Sequence, residues 1–175
     1  PEPLTGMVKF EEVWFAYNKE EWVLKNISFE VKPGKTLALV GATGAGKSSI
    51  VNLLNRFYEI NRGHIYLDNR EIKDYDLSFL RRNIALVLQD VFLFSDSIFN
   101  NITLKNPNIS CEQVYQAANL VGASAFIERL PGGYDYDVME RGATLSVGQR
   151  QLISFVRALV YDPKIIILDE ATSSV

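Results

Sequence analysis

Only one cysteine, Cys111, occurs in 175 residues. Such a chain forms no intrachain disulfide and no multi-cysteine metal site, and its composition suits a reducing compartment. The ordinary place for a lone thiol of this kind is as a small buried or half-buried hydrophobe. Net positive charge is also lacking. The formal charge is −3, so there is no broad basic surface of the kind that holds nucleic acid, and no local basic patch stands out to replace one; no nucleic-acid partner is expected. No apolar run approaches the eighteen or so residues that a membrane-crossing helix needs. Pro1–Gly6 has neither the basic start nor the apolar stretch of a signal peptide, and internal repeats and low-complexity tracts are absent. Any membrane role is expected to pass through a partner or through sequence outside these residues.

What remains is an ordinary globular composition, 47% hydrophobic and 22% charged, long enough for one domain with a real core. Residues 8–17, VKFEEVWFAY, and 26–31, NISFEV, read as strands of an antiparallel sheet. After the turn Lys32-Pro33-Gly34-Lys35, the continuous apolar run TLALV over 36–40 predicts a strand buried on both faces. A helix is expected from Lys47, with Ile50, Val51, Leu53, Leu54 and Phe57 at helical spacing. GHIYL (63–67) and IALVL (84–88) read as further strands, and Asp68-Asn69 as a turn. Ser110 is a candidate N-cap for a helix running to Leu120, and 125–130 reads as a shorter helix ended by Pro131-Gly132-Gly133. A last helix is expected over about 147–161, followed by a buried strand IIIL ending at Asp169-Glu170. The fold class is therefore α/β, with an antiparallel β subdomain and parallel-sheet core over 7–89, an inserted helical subdomain over 90–145, and a final helix and strand over 146–175.

The chemistry is concentrated at GATGAGKSS, residues 41–49. A buried strand, then G-x-x-x-x-G-K-S, then a helix is the phosphate-binding P-loop in the context it requires. Gly41, Gly44 and Gly46 let the backbone curl so that the N–H groups of Thr43, Ala45 and their neighbours converge, and the positive end of the helix dipole adds to the attraction for anions. Lys47 supplies a mobile charge for the β- and γ-phosphates, Ser48 a hydroxyl for Mg²⁺, and Ser49 continues the cradle. Asp169, at the end of IIIL, is the candidate Mg²⁺ partner through water. Glu170, next along the chain, is placed to orient or deprotonate an attacking water. The cofactors expected are ATP and Mg²⁺.

Leu145-Ser146-Val147-Gly148-Gln149 narrows the class, because at this point the chain resembles the ATPase domain of ATP-binding cassette (ABC) transporters, whose signature reads LSGGQ. The resemblance runs through Tyr17 at an aromatic adenine-stacking position, the P-loop, Gln89 at the Q-loop, the signature, and the strand ending at Asp169-Glu170, all in the family's order. It implies a P-loop NTPase core and a catalytic set of Lys47, Gln89 and Glu170. It implies Mg²⁺ bound by Ser48, Gln89 and Asp169, with Ser146, Val147, Gly148 and Gln149 closing on the γ-phosphate held by a second ABC ATPase domain, as a homodimer or heterodimer. Val147 departs from the signature's middle glycine and is costly if that position needs a positive φ or very close packing. The stretch QDVFLFSDSIFNNI and Glu140-Arg141-Gly142 resemble exporter-type members, in which a transmembrane domain shares the polypeptide and sits against this region.

The resemblance further implies a motor at the cytoplasmic face of a membrane, hydrolysing ATP to drive export. The chain ends near the start of the family's D-loop, ahead of its switch histidine. His64 lies on a strand between the P-loop and Gln89 and does not fill that role. A C-terminally incomplete domain with weak activity of its own is therefore expected. Two other readings remain open at this stage: a soluble ABC ATPase acting on nucleic acid or ribosomes, and a catalytically degenerate regulatory ABC domain.

Overall fold

The computed structural model describes residues 3–19, 21–88 and 90–169, so Gln89 and Glu170 lie outside the described residues. The chain divides into two compact units, Pro1–Ile84 and Ala85–Val175.

In the first unit, β1 (Val8–Phe15), β2 (Leu24–Val31), α1 (Lys47–Leu54), β3 (Arg62–Leu67), β4 (Arg70–Glu71) and α2 (Leu77–Asn83) follow in order. The sheet order is β2-β1-β3-β4, with every mapped pairing antiparallel. In β1 the buried side chains are Val8 and Phe10, then Val13 and Phe15. The change of parity falls at a bulge, where Glu12 has φ +48° and the register with both neighbours shifts. A bulge adds one residue to one strand and so returns the apolar face to the core. Leu53 and Leu54 of α1 join this core with Ile65, Leu67 and Leu80, and Phe10 stacks on Phe29 with ring centroids 4.6 Å apart.

In the second unit, β5 (Ile84–Val87), which begins at the boundary, pairs with β8 (Ile165–Leu168). Between them run β6 (Asp96–Ser97), α3 (Ile98–Thr103), α4 (Cys111–Leu120), α5 (Ser124–Ile127), β7 (Asp137–Val138) and α6 (Val147–Leu159). One apolar cluster holds the helices together, with Leu93, Ile98, Ile102, Val114, Ala118, Ile127, Val138, Ile153 and Val156 all fully buried. Ser110 caps α4 as expected, in a reciprocal capping box with Gln113.

Several expectations need correction. Residues 36–40 form no strand, and all five are exposed, Val40 to 93%. A continuous apolar run reads as a strand only if neighbours pair with it on both sides. The sheet of the first unit is antiparallel, in the order β2-β1-β3-β4, and the run is not one of its strands. In β8 the residues alternate, Ile165 and Ile167 half-buried and Ile166 and Leu168 exposed, so this strand is not enclosed on both faces. Leu88 falls beyond β5 and is exposed. Helix α1 stops at Leu54 rather than continuing through Phe57, because Arg56 takes φ +49°, outside the helical region. Cys111 is exposed at the first position of α4 rather than buried. Helices α2 and α3, each seven residues or fewer, are too short for periodicity to announce them; both are fixed by side-chain caps, from Asp76 and Ser97.

Candidate functional site

The P-loop closes on itself around Lys47. Its Nζ donates to the carbonyl oxygens of Gly41 at 2.6 Å and Ala42 at 3.0 Å, so the ammonium sits at the mouth of the loop that its own backbone forms. Gly46 is the N-cap of α1, with φ +95°. A Cβ there would stand 2.6 Å from Leu24 Cδ2, inside the core of the first unit, so both conformation and space require glycine. Gly44 also has a positive φ, +83°, whereas a Cβ at Gly41 would meet the Ala45 methyl at 3.1 Å. Thr43 and Ala45 are exposed along the loop, Ser48 is exposed on the first turn of α1, and Ser49 is buried beside it. An exposed hydroxyl next to a cation, at a helix N-terminus with unpaired N–H groups, suits a phosphate carrying a hard cation.

Tyr17 lies just past β1 and is tied to this helix. Its hydroxyl is 3.0 Å from Ser49 Oγ, and Asn52 Nδ2 donates to it at 3.4 Å. Phe15 and Tyr58 pack nearly perpendicular to the ring, with centroids 4.7 and 5.0 Å away. The ring is held by these two neighbours while 47% of the residue stays exposed, an arrangement that leaves surface for a flat ligand. Ser49, Asn52 and Tyr58 were not legible as partners of Tyr17. The Ser49 contact spans 32 positions of sequence, and nothing local signals it.

In the second unit, Ser146 is the N-cap of α6, the longest described helix. Its Oγ accepts from Gln149 N at 3.1 Å, while Ser146 N donates to Gln149 Oε1 at 2.9 Å. Val147 sits at the first helical position, 55% exposed, so the residue in place of glycine adopts ordinary helical backbone and is not packed inward. A Cβ built on Gly148 would meet nothing within 4 Å. Asp169 follows β8, and its N–H donates to Val87 O at 3.0 Å, joining the ends of the two strands. His64 is exposed on β3 and paired with Glu71, which Lys73 also contacts. The hydrogen bonds from Lys73 and His64 hold the Glu71 carboxyl below the usual carboxylate range.

A family profile described as ABC transporter matches residues 24–173. The chain is 52% identical, over 99% of its length, to the uncharacterized ABC transporter ATP-binding protein YknV of Bacillus subtilis (strain 168), of which it covers 29%. It is 51% identical, again over 99% of its length, to the ATP-dependent lipid A-core flippase of Haemophilus influenzae (strain 86-028NP), covering 30% of that protein. The solved structure of a bacterial Atm1-family ABC exporter with ATP bound superimposes with a TM-score of 0.90 at 40% identity, over 97% of this chain and 30% of that one. The chain thus spans about three tenths of the length of the relatives it matches.

Proposed function

The chain belongs to the ABC transporter family, and from that premise we propose that it is the ATP-binding and hydrolysing motor domain of an exporter, working at the cytoplasmic face of a membrane. Its fold is the family's: α/β, with an antiparallel N-terminal sheet and a parallel sheet in the core. The observation that carries the reading is the loop 41–48, with Gly46 locked by the core and the Lys47 ammonium at its mouth. In this reading Lys47 exchanges two neutral carbonyl contacts for anionic phosphate oxygens, which make stronger, charge-assisted bonds. Ser48, Gln89 and Asp169 offer oxygen donors of the kind Mg²⁺ prefers. These residues would hold Mg²⁺, which would supply positive charge against the phosphates of the nucleotide. Tyr17 stacks on adenine, and Glu170 orients the attacking water.

Ser146, Val147, Gly148 and Gln149 begin a second helix, on which the Val147 and Gly148 N–H groups are left over from the Ser146–Gln149 capping box, in the same polypeptide as a P-loop. Their use is to close on nucleotide held by another ABC ATPase domain in a head-to-tail dimer, whose opening and closing moves a membrane domain. That membrane domain is assigned to the part of the polypeptide outside these residues. The similarity to an exporter and to a lipid A-core flippase supports this assignment.

The test is MgATP binding and turnover by the whole transporter in vesicles, for the wild type, Lys47→Ala and Glu170→Gln. Lys47→Ala is expected to lose nucleotide affinity by at least about tenfold, the loss of one charged hydrogen-bonding group. Glu170→Gln is expected to retain ATP in a closed dimer without turning it over. Ordinary binding by the first variant overturns the site, and ordinary turnover by the second overturns Glu170's role.

A further inference from the structure

One cation in the second unit has no part in nucleotide chemistry. Arg157 is half-buried near the C-terminal end of α6, about 16 Å along the helix axis from Ser146. Among the described residues it pairs with no carboxylate. Its Nε donates to Asn101 O at 2.7 Å, its Nη1 to Phe92 O at 3.2 Å, and its Nη2 reaches Asn101 Oδ1 at 3.5 Å. A guanidinium removed from water and given only carbonyl partners has been placed at a cost, and burial lowers its pKa.

What it holds is a loop organised by Asn101. That side chain is fully buried in α3. Its Nδ2 donates to Phe94 O, Asp96 O and Ser97 O at 2.9, 3.3 and 3.0 Å, and its Oδ1 accepts from Phe94 N at 2.8 Å. The loop therefore folds around one amide, and Arg157 bolts that amide's residue and Phe92 to α6. Leu93 points into the core with no exposure, while Phe92 and Phe94 on either side are 54% and 52% exposed, their rings edge to face at 4.9 Å. A second tie lies alongside, from the Tyr161 hydroxyl to Thr103 O at 2.7 Å.

We propose that Arg157 and Asn101 are positioning residues: they lock the loop bearing the exposed Phe92–Phe94 pair onto the helix whose first turn is Ser146–Gln149, so that a push on the aromatic pair moves that turn. The proposal rests on the motor reading above, since only in a motor does the movement of that turn matter. Lysine would keep the charge but not the fork that grips two carbonyls at once, and methionine would keep only the apolar stem.

The experiment compares Arg157→Lys and Arg157→Met with the wild type in the whole transporter, by amide hydrogen exchange and by MgATP kinetics. In Arg157→Met, the Phe94 amide and its neighbours through Ser97 are expected to exchange about tenfold faster or more, as expected when charged hydrogen bonds are lost from a local opening unit. α4 and α6 should keep their protection. The kcat is expected to fall about tenfold with KM within about twofold, because the transmitted movement is weakened while nucleotide contacts are untouched. Arg157→Lys should recover part of both effects. Unchanged exchange at the loop overturns the lock. Faster exchange throughout α4 and α6, or KM and kcat changing together, overturns it in favour of a merely structural role. Lys47→Ala serves as control: if it turns over ATP normally the motor reading fails, and the exchange result still decides whether the lock exists.

Discussion

Replacing Tyr17 separates the base from the phosphates, because the residues assigned to each can be probed with different ligands. With Phe15 and Tyr58 packed nearly perpendicular to it and its hydroxyl near Ser49 and Asn52, the Tyr17 ring is already oriented before any ligand arrives. A base stacked on such a ring is held by about 1–3 kcal/mol, so Tyr17→Ala should raise the Kd for MgATP by roughly 5- to 150-fold. Tyr17→Phe keeps the face and loses the two neutral hydrogen bonds of the hydroxyl, to Ser49 and Asn52, each worth about 0.5–1.5 kcal/mol to the fold. Those bonds are made without ligand, so most of their loss falls on stability, and the Kd should move less than about threefold. The assay is calorimetric titration with MgATP and, in parallel, with magnesium tripolyphosphate, which carries the phosphate chain without the base. Tyr17→Ala should weaken the first and leave the second unchanged. Equal loss for both ligands would mean that the substitution had disturbed the loop, and no loss for ATP would mean that no base stacks there; either result refutes the assignment.

Gly46→Ala meets two penalties, a left-handed backbone costing about 1–2 kcal/mol and a methyl 2.6 Å from Leu24 Cδ2, for which overpacking costs about 1–3 kcal/mol. Thermal unfolding should show a large loss of stability together with lost nucleotide binding, and a wild-type midpoint would contradict the geometry. Lys105, Asn100 and the Ser97 N–H hold the Asp96 carboxyl down to about 2, from an ordinary 3.8. A depressed carboxyl stabilises the folded state above its unfolded pKa and loses that contribution as pH falls, so Asp96→Asn should flatten the acid limb of the stability curve between about pH 4 and pH 2; an acid limb identical to wild type would sink this. Asp68 accepts from the N–H groups of Thr5, Gly6 and Met7 and from the Thr5 hydroxyl. Burial opposes its ionisation, but these bonds outweigh it and leave the pKa lowered. Asp68→Asn should speed amide exchange at Gly6 and Met7 by about tenfold or more, and unchanged exchange would show that the segment is held by something else.

What could be read in the sequence was short in range. A P-loop is eight residues in a row, a capping box spans four, and a helix announces its buried face every three or four positions, so α1, α4 and α6 and the candidate residues on them are legible from local pattern. What could not be read depends on partners far along the chain. The run 36–40 has the composition of a central strand, but composition does not supply the neighbouring strands, and the segment is exposed. Asn101 has the look of any polar residue in a short helix, yet it is buried with four loop hydrogen bonds. Arg157 has the look of a helix-surface charge, and its partners lie up to 65 positions away. Tyr17 is marked by resemblance alone; the contacts that orient it leave no trace in local pattern.

The departure at Val147 can be weighed against the backbone it stands on. A helix leaves its first N–H groups without partners in its own turn, and in α6 the Ser146 side chain takes one of them, that of Gln149. The N–H groups nearest the start, those of Val147 and Gly148, are what an anion would use, and a valine supplies its N–H as well as a glycine does. With helical backbone and 55% of the residue exposed, Val147 carries no strain for its side chain. Gly148 is the informative glycine: its φ is not positive, and a methyl there would touch nothing within 4 Å. Among the described residues nothing calls for glycine at that position; in the proposed dimer it is there that the γ-phosphate held by the facing P-loop would approach.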